Sequence, residues 1–198
     1  MAGVLIRREA ARDAGPVWAV TAAAFARPGA DVPAEAALVD WLRASPAWIP
    51  QLSLVALNPA ASADPAASAD PAPSADATGE APASDTVIGH VLCTRATAGT
   101  VPVLALAPLS VRPDWQRRGV GSALMHAVLG AADALGEPLV ALLGSTRYYP
   151  RFGFRPARRY GIIAPHPQWE PHFQVRTLAA YDPAVQGAFA YPEPFDRI

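Results

Sequence analysis

The sequence predicts a single α/β (α+β) domain over residues 1–198, with six to seven strands and about four helices. Two observations support this prediction. Short apolar runs of strand length alternate along the chain with longer segments whose apolar residues recur at helical spacing. In addition, a glycine-rich loop joins one of these strands directly to a helix, which is an arrangement that can hold a phosphate group.

The helices are predicted from their start and stop signals. Asp13 can cap the first helix, whose apolar residues recur as far as Phe25. Pro33 begins the second helix, and Ser45 followed by proline ends it. The third helix follows the glycine loop and ends at Gly136.

The strands are shorter and are separated by turn residues. They are predicted at residues 4–7, 52–57, 86–94, 101–111 and 139–143, with a sixth after Phe154 and a seventh at 173–178. A short fourth helix is expected to begin at Gly144, and the proline-rich segment 188–198 is expected to pack as a loop over the sheet.

The charge balance and the single cysteine restrict the class of protein. The net charge is −1, so neither nucleic acid nor an anionic membrane is expected as a partner. No apolar run is long enough to cross a bilayer and no signal peptide is evident, so we expect a cytoplasmic protein. Cys93 lies in an apolar run and is expected in the core rather than as a nucleophile.

Residues 58–85 differ in composition from the rest of the chain. They repeat a short Ala-Ser-Ala-Asp-Pro-Ala unit and consist almost wholly of Ala, Ser, Asp, Pro, Gly and Thr. Such a segment buries too little apolar surface to compensate for the entropy lost when it becomes ordered. We predict a disordered insertion between two paired strands, and a protein-interaction module built on this segment is the alternative.

The segment 106–123 contains the main candidate binding site. Pro108 interrupts its strand, and because proline cannot donate a ladder hydrogen bond, we expect a bulge or a splayed strand there. The N–H groups at the following helix start carry partial positive charge, and two adjacent arginines add strong donors. The predicted cradle for a phosphate or diphosphate comprises Gln116, Arg117, Arg118, Gly119, Val120, Gly121 and Ser122.

The spacing of the glycines separates this loop from other phosphate-binding loops. Leu124 stands where a dinucleotide fingerprint needs its third glycine, a P-loop lysine is missing, and Ser122 is not placed as in a nucleophile elbow. The remaining pattern, Q-x-x-G-x-G after an apolar-Ser-Val strand end and Arg112-Pro113, resembles the acyl-CoA loop of the GNAT superfamily of N-acetyltransferases. Tyr149-Pro150-Arg151-Phe152-Gly153-Phe154 likewise resembles the superfamily's Y-x-x-x-G-F ending, in a form similar to one uncharacterised bacterial branch.

The resemblance covers residues 87–154 and implies a fold. It implies a mixed, mostly antiparallel sheet whose fourth and fifth strands splay apart, with the pantetheine arm of acetyl-CoA lying in the gap. Backbone groups of Leu109, Ser110 and Val111 would pair with the amides of that arm, as in strand addition. The cradle would hold the diphosphate, so acetyl-CoA is the implied cosubstrate and no metal is expected.

The resemblance also implies a reaction, the transfer of an acetyl group to a primary amine by direct attack in a ternary complex. A departing thiolate benefits from a donated proton, and Tyr149 occupies the position of the superfamily's general acid. Its neighbour Tyr148 is expected to pack. Ser145 or Thr146 would replace the asparagine that many relatives carry before the tyrosine.

Neither the base nor the acceptor is identified by the sequence. The acceptor is expected to be a small-molecule or peptide amine. The sequence does not decide between a monomer and a homodimer. A non-catalytic acyl-CoA-binding or regulatory domain with the same loop is the alternative to an enzyme. The candidates for a base are Glu35, Asp40 and His90, although a strand histidine is more often a packed, hydrogen-bonded residue. The candidates for an acceptor pocket are Trp18, Trp41, Trp169 and the C-terminal aromatic residues.

Overall fold

The computed structural model describes residues 4–27, 33–58 and 86–198. Three α-helices occur in this part of the chain, and each begins and ends near the predicted signals. They are α1 (Ala14–Phe25), α2 (Ala34–Arg43) and α3 (Val120–Ala134). The prediction of a fourth helix from Gly144 is wrong, because a turn there leads into a short 3₁₀ helix at Tyr149–Phe152.

Nine strands form in the described residues, which is more than the six to seven expected. They are β1 (Leu5–Arg8), β2 (Trp48–Leu57), β3 (Val87–Ala98), β4 (Val101–Val111), β5 (Leu139–Leu143), β6 (Arg155–Pro156), β7 (Ile162–Ile163), β8 (Phe173–Thr177) and β9 (Gly187–Ala190). The additional strands β7 and β9 are short, and β9 lies partly in the segment expected to be a loop. The prediction for that segment is corrected: it begins as a strand and ends as a 3₁₀ helix at Glu193–Arg197.

The strands form a mixed, mostly antiparallel sheet, as expected. Its order is β1-β2-β3-β4-β5-β8-β6, and β9 pairs with the far end of β3 and with β7. The pairs β4–β5 and β7–β9 are parallel, whereas the remaining described pairs are antiparallel. The parallel pair β4–β5 lies in the middle of the sheet and is the place where the ladder opens.

The strand β4 bulges at Pro108 and then separates from β5. Leu106 pairs with Cys93 and Leu109 pairs with Val91, so two residues of β4 lie opposite one residue of β3. The peptide bond before Pro108 is cis. Pairing with β5 is limited to Leu104 and Ala105, so within the described residues the β5-facing edge of residues 106–111 has no strand partner. The predicted bulge and the splay are therefore both confirmed.

The helices cover both faces of the sheet. Alternate residues of β2 and β3 pack against α3 on one face, and the residues between them pack against α1 and α2 on the other. Gly89 fixes the start of α3, since a Cβ at this position would come within 3.0 Å of Leu124 and 3.1 Å of Val120. The beginning of α3 thus packs directly against β3, at the residue that pairs with the end of β4.

Three further expectations can be compared with the structure. Cys93 is fully buried, and burial, together with the nearby charge of Glu137, raises the pKa of its thiol, as suits a core residue. None of the helices in the described part of the chain has both the length and the hydropathy needed for a bilayer crossing. The predicted disordered insertion at 58–85 lies, apart from Asn58, outside the described residues.

Candidate active site

The loop between β4 and α3 has the backbone of an anion-binding turn. Arg117 and Gly119 both have left-handed backbone conformations, with φ of 59° and 89°. The side-chain amide of Gln116 donates to the carbonyl of Val111 at 3.1 Å and so ties the loop back to the end of β4. Alternating backbone handedness of this kind directs successive N–H groups toward one point.

The first turn of α3 leaves its amides available at that point. The first hydrogen bond within the helix runs from Ala123 N to Gly119 O at 2.9 Å, so the amides of Val120, Gly121 and Ser122 precede it. Gly119 is the N-cap and contributes no side-chain cap. The helix start therefore presents its partial positive charge and its free donors to solvent, which is the chemistry that an anion requires.

Two guanidinium groups stand beside these amides. The side chains of Arg117 and Arg118 are exposed, and neither forms an ion pair with a carboxylate in the described residues. Arg118 stacks over Trp115, with its guanidinium carbon 5.4 Å from the ring centroid. In contrast, Arg112 is paired with Asp114 at 2.7 Å. The structure thus brings together all seven predicted cradle residues, with two unneutralised positive charges among them.

The open edge of β4 leads from this cradle toward the middle of the sheet. Leu109 and Val111 pack their side chains on the α3 face, while Ser110 is buried on the other face and donates to Thr21 at 3.1 Å. The side chains are therefore engaged in packing, and it is the backbone of these residues that faces the gap beside β5. Backbone groups without a strand partner at such a position can pair with an extended ligand.

Tyr149 lies at the inner end of the gap. Its ring packs edge-to-face against Tyr148 at 5.0 Å and Phe154 at 5.8 Å, and its side chain lines the central cavity. Burial, with a smaller contribution from the neighbouring Tyr148, raises the pKa of Tyr149 to about 12. The hydroxyl is therefore fully protonated at neutral pH and is available as a donor.

The position of the Tyr149 ring depends on Gly144, which the sequence predicts only as the start of a short helix. A Cβ at Gly144 would overlap the ring, lying 2.9 Å from its Cδ2 and closer still to its Cε2. A glycine directly after a strand and five residues before the tyrosine is the only sequence signal of this contact. The glycine makes room for the ring and thereby lets Tyr149 line the cavity.

The neighbouring Tyr148 lies beside the predicted cradle. A Cβ at Gly121 would lie 3.0 Å from its hydroxyl, and the Arg151 guanidinium covers its ring at 4.8 Å. Ser145 is exposed at the end of β5, where its hydroxyl accepts from the amide of Arg147 at 3.3 Å and its carbonyl accepts from the amides of both tyrosines. Ser145 thus organises the turn that carries the two tyrosines.

A cavity of about 640 Å³ lies where the gap ends. Most of its lining residues are apolar or aromatic, and they come from β4, the first two helices and the C-terminal segment. They are Phe25, Arg27, Pro33, Ala34, Glu35, Leu38, Leu106, Ala107, Pro108, Leu109, Leu143, Tyr149, Trp169, Tyr191, Phe195 and Ile198. A volume of this size accommodates a small organic molecule.

Of the three candidate bases, Glu35 alone lines this cavity. His90 is fully buried elsewhere, with its Nε2 2.9 Å from Ser53 and 3.3 Å from Glu9. Burial raises the pKa of Glu9, but hydrogen bonds to His90 and Ser53 and the charge of Arg43 outweigh burial and hold that pKa below its usual range. His90 therefore belongs to a structural network.

Asp40 is exposed on α2 and pairs with Arg43, so it too lies away from the cavity.

The aromatic residues predicted to line an acceptor pocket also fall into two groups, those that line the cavity and those that lie outside it. Trp169 lines the cavity together with Tyr191 and Phe195 of the C-terminal segment. Trp18 is exposed on α1, and Trp41 lies under the guanidinium of Arg197 at 5.3 Å. The structure therefore brings one of the three predicted tryptophans to the site, along with the C-terminal aromatic residues.

The fold and the site define a class of domain: a mixed sheet with an open inner strand edge that runs from the predicted cradle to the partly buried Tyr149. The family model described as "Acetyltransferase (GNAT) family" matches residues 38–154, and the chain belongs to this family. The resemblance noted in the sequence is thereby confirmed. The matched segment contains the open edge of β4, the cradle and Tyr149.

Individual relatives agree with this assignment. The chain is 37% identical over 115 residues to the "Uncharacterized N-acetyltransferase YjhQ" of Escherichia coli (strain K12), a match that spans 54% of this chain and 64% of that relative's length. It is similar to the crystal structure of a GNAT family N-acetyltransferase, YhbS, from Escherichia coli in complex with CoA, with a TM-score of 0.79, 26% identity and coverage of 100% and 94% of the two chains. A GNAT family acetyltransferase from Brucella melitensis in complex with acetyl-CoA has a TM-score of 0.70 and 27% identity, over 99% and 100% of the two chains.

Proposed function

We propose that this protein is an N-acetyltransferase that moves an acetyl group from acetyl-CoA to a primary amine by direct attack within a ternary complex. The observation that carries the proposal is the continuous path from the cradle at residues 116–122, along the open edge of β4, to Tyr149 in the cavity. The two relatives solved with CoA or acetyl-CoA support it, since each shares the fold at more than 25% identity.

Each part of the path has a role in binding the cosubstrate. The free amides of residues 119–122 and the guanidinium groups of Arg117 and Arg118 would hold the diphosphate through charge-assisted hydrogen bonds. The backbone of Leu109, Ser110 and Val111 would pair with the pantetheine amides, because the edge that faces β5 has no strand partner in the described residues. Ser145 would line the opposite side of the gap at the end of β5.

The reaction then follows from the positions of the polar groups. The amine lone pair forms a bond to the acyl carbon, the carbon–sulfur bond breaks, and its electron pair leaves with the sulfur. The Tyr149 hydroxyl donates a hydrogen bond and then its proton to this sulfur, while the nitrogen loses a proton to solvent. Because the pKa of Tyr149 is raised to about 12, the proton is present throughout the neutral range, and solvent restores it after turnover.

The proposal is tested by combining calorimetry with CoA and a thiol-release assay with acetyl-CoA and a panel of amines. The expected result is CoA binding together with amine-dependent thiol release. Binding of CoA without thiol release from any amine would favour the non-catalytic acyl-CoA-binding domain. Absence of binding by correctly folded protein would refute both functions.

A further inference from the structure

The cavity next to Tyr149 has a composition that restricts the acceptor. Its volume is about 640 Å³, and its walls include Phe25, Leu38, Leu106, Trp169 and Phe195. Leu38 and Leu106 are buried, whereas the three aromatic residues are partly buried. Such walls favour a ligand whose body is apolar, because burying that body removes its surface from water.

The lining residues that the structure describes include two charged side chains of opposite sign. Glu35 is the acidic one and Arg27 is the basic one. Glu35 is half-buried in the first turn of α2, while Arg27 is exposed at the end of α1. Neither is in an ion pair among the residues that the structure describes. The hydroxyls of Tyr149 and Tyr191 carry no charge at neutral pH, because burial raises the pKa of both.

One partly desolvated carboxylate matches one ammonium group. A polyamine or an aminoglycoside carries several ammonium groups, and each further one would meet apolar walls or the Arg27 guanidinium. Burying an unpaired charge is costly, and like charges repel at short range. The cavity therefore favours a monoamine, whose single ammonium group pairs with the Glu35 carboxylate. It disfavours a polycation, whose second ammonium group finds no carboxylate among the described lining residues.

We infer that the acceptor is a monoamine with an apolar body, whose ammonium group is held by the Glu35 carboxylate before that ammonium group is deprotonated. This inference rests on the proposed acetyl transfer and specifies its substrate class. Glu35 binds the acceptor, and the proton that leaves the nitrogen passes to solvent. The apolar body occupies the space between Leu38, Trp169 and Phe195.

The test uses 2-phenylethylamine as the acceptor, spermidine as the polycation and 2-phenylethanol as the uncharged analogue. In the wild-type protein, kcat/KM for 2-phenylethylamine is expected to exceed that for spermidine at least about tenfold. Glu35→Gln should raise KM for 2-phenylethylamine about tenfold, as expected for loss of about 1.4 kcal/mol of binding. The same variant should leave the Kd of acetyl-CoA and the inhibition constant of 2-phenylethanol within about twofold of wild type.

Asp40→Asn is the matched control, because it makes the same carboxylate-to-amide change on the same helix but outside the cavity. It should leave every constant near its wild-type value. Preferential acetylation of spermidine, or an unchanged KM in Glu35→Gln, would overturn the inference while the proposed acetyl transfer stands. If no amine releases thiol, calorimetry of 2-phenylethylamine with the CoA-bound protein decides: loss of binding in Glu35→Gln supports the inference, and absence of binding to wild type overturns it.

Discussion

Two parts of the strand β4 have similar side chains but different partners. Leu104 and Ala105 pair with β3 on one side and with β5 on the other, whereas residues 106–111 pair with β3 only. Both parts are largely apolar, and the second is partly buried where the first is fully buried, so the main difference lies in the backbone. The bulge at Pro108 lies within the second part, shortly after the last residue that pairs with β5.

The difference predicts separate roles for the two parts of the strand, stability for the first and cosubstrate binding for the second. In the first part the backbone hydrogen bonds are satisfied within the sheet, so substitutions there should act on stability. In the second part a row of backbone groups faces a gap between the cradle and Tyr149, and buried backbone groups need a partner. Changes around the second part should therefore act on cosubstrate binding and turnover while the protein remains folded.

The largest effect is expected at Tyr149, where the open edge meets the cavity. Tyr149→Phe should lower kcat about 10²- to 10⁴-fold, the usual range for loss of a general acid, with the Kd of acetyl-CoA within about twofold. Steady-state kinetics and calorimetry measure the two quantities. Tyr160→Phe is the control, since this tyrosine packs against Tyr181 away from the cavity. Unchanged turnover in Tyr149→Phe would remove this hydroxyl from the mechanism.

The next effect tests whether the position of the ring matters as well as its hydroxyl. In Gly144→Ala the new Cβ would overlap the Tyr149 ring, so the ring must move and kcat should fall at least about tenfold. Gly130→Ala is the matched control, because a Cβ there meets nothing within 4 Å inside α3. This control should keep full activity and gain up to about 1 kcal/mol in stability. Equal kcat values for the two variants would show that the ring position is not critical.

A smaller effect is expected at the other end of the open edge. Arg117→Gly removes a guanidinium but keeps the left-handed backbone, which glycine adopts without strain. The Kd of CoA should rise about tenfold, or about 1.4 kcal/mol, while binding of pantetheine, which lacks the diphosphate, should not change. Arg159→Gly provides a control at an exposed arginine outside the cradle. An equal loss for CoA and pantetheine would place Arg117 outside the diphosphate site.

The smallest effect is expected at the junction of β2 and β3, which contributes no residue to the predicted site. Leu57 pairs with Val87, and the amide of Asn58 donates to the carbonyl of Thr86 at 3.0 Å, so the end of β2 and the start of β3 are adjacent. Replacing residues 59–85 by Asn-Gly can close a two-residue hairpin there. Thermal unfolding, CoA binding and kcat should stay close to wild type. Loss of activity in a folded variant would instead support the protein-interaction module.

The sequence predicted the elements that depend on local signals. The three helices and the bulge at Pro108 follow from glycine, proline and helical spacing, and the structure has each of them. The assignment of residues 116–122 to a phosphate cradle stays a prediction. The mostly antiparallel order of the sheet and the splay came from the family resemblance. Neither follows from spacing, because the pairing of β4 with β5 is a contact between distant segments.

The sequence could not predict contacts made by short or irregular segments. The strands β7 and β9 are too short to show a period, so segment 188–198 was expected to be a loop although it pairs with β3 and supplies a wall of the cavity. The dependence of Tyr149 on Gly144 is a contact between a side chain and a turn. Likewise, the sequence could not predict that Glu35 lines the cavity whereas Asp40 and His90 do not, because no local signal distinguishes these three residues.

Backbone hydrogen exchange with and without CoA tests the difference between the two parts of β4 most directly. CoA should slow exchange at those amides of residues 106–111 that face the gap and at the amides of residues 120–122. It should leave Leu104 and Ala105 unchanged, because they are already paired on both sides. If CoA binds and residues 106–111 exchange as before while protection appears elsewhere, the open edge of β4 is not the binding site for the pantetheine arm.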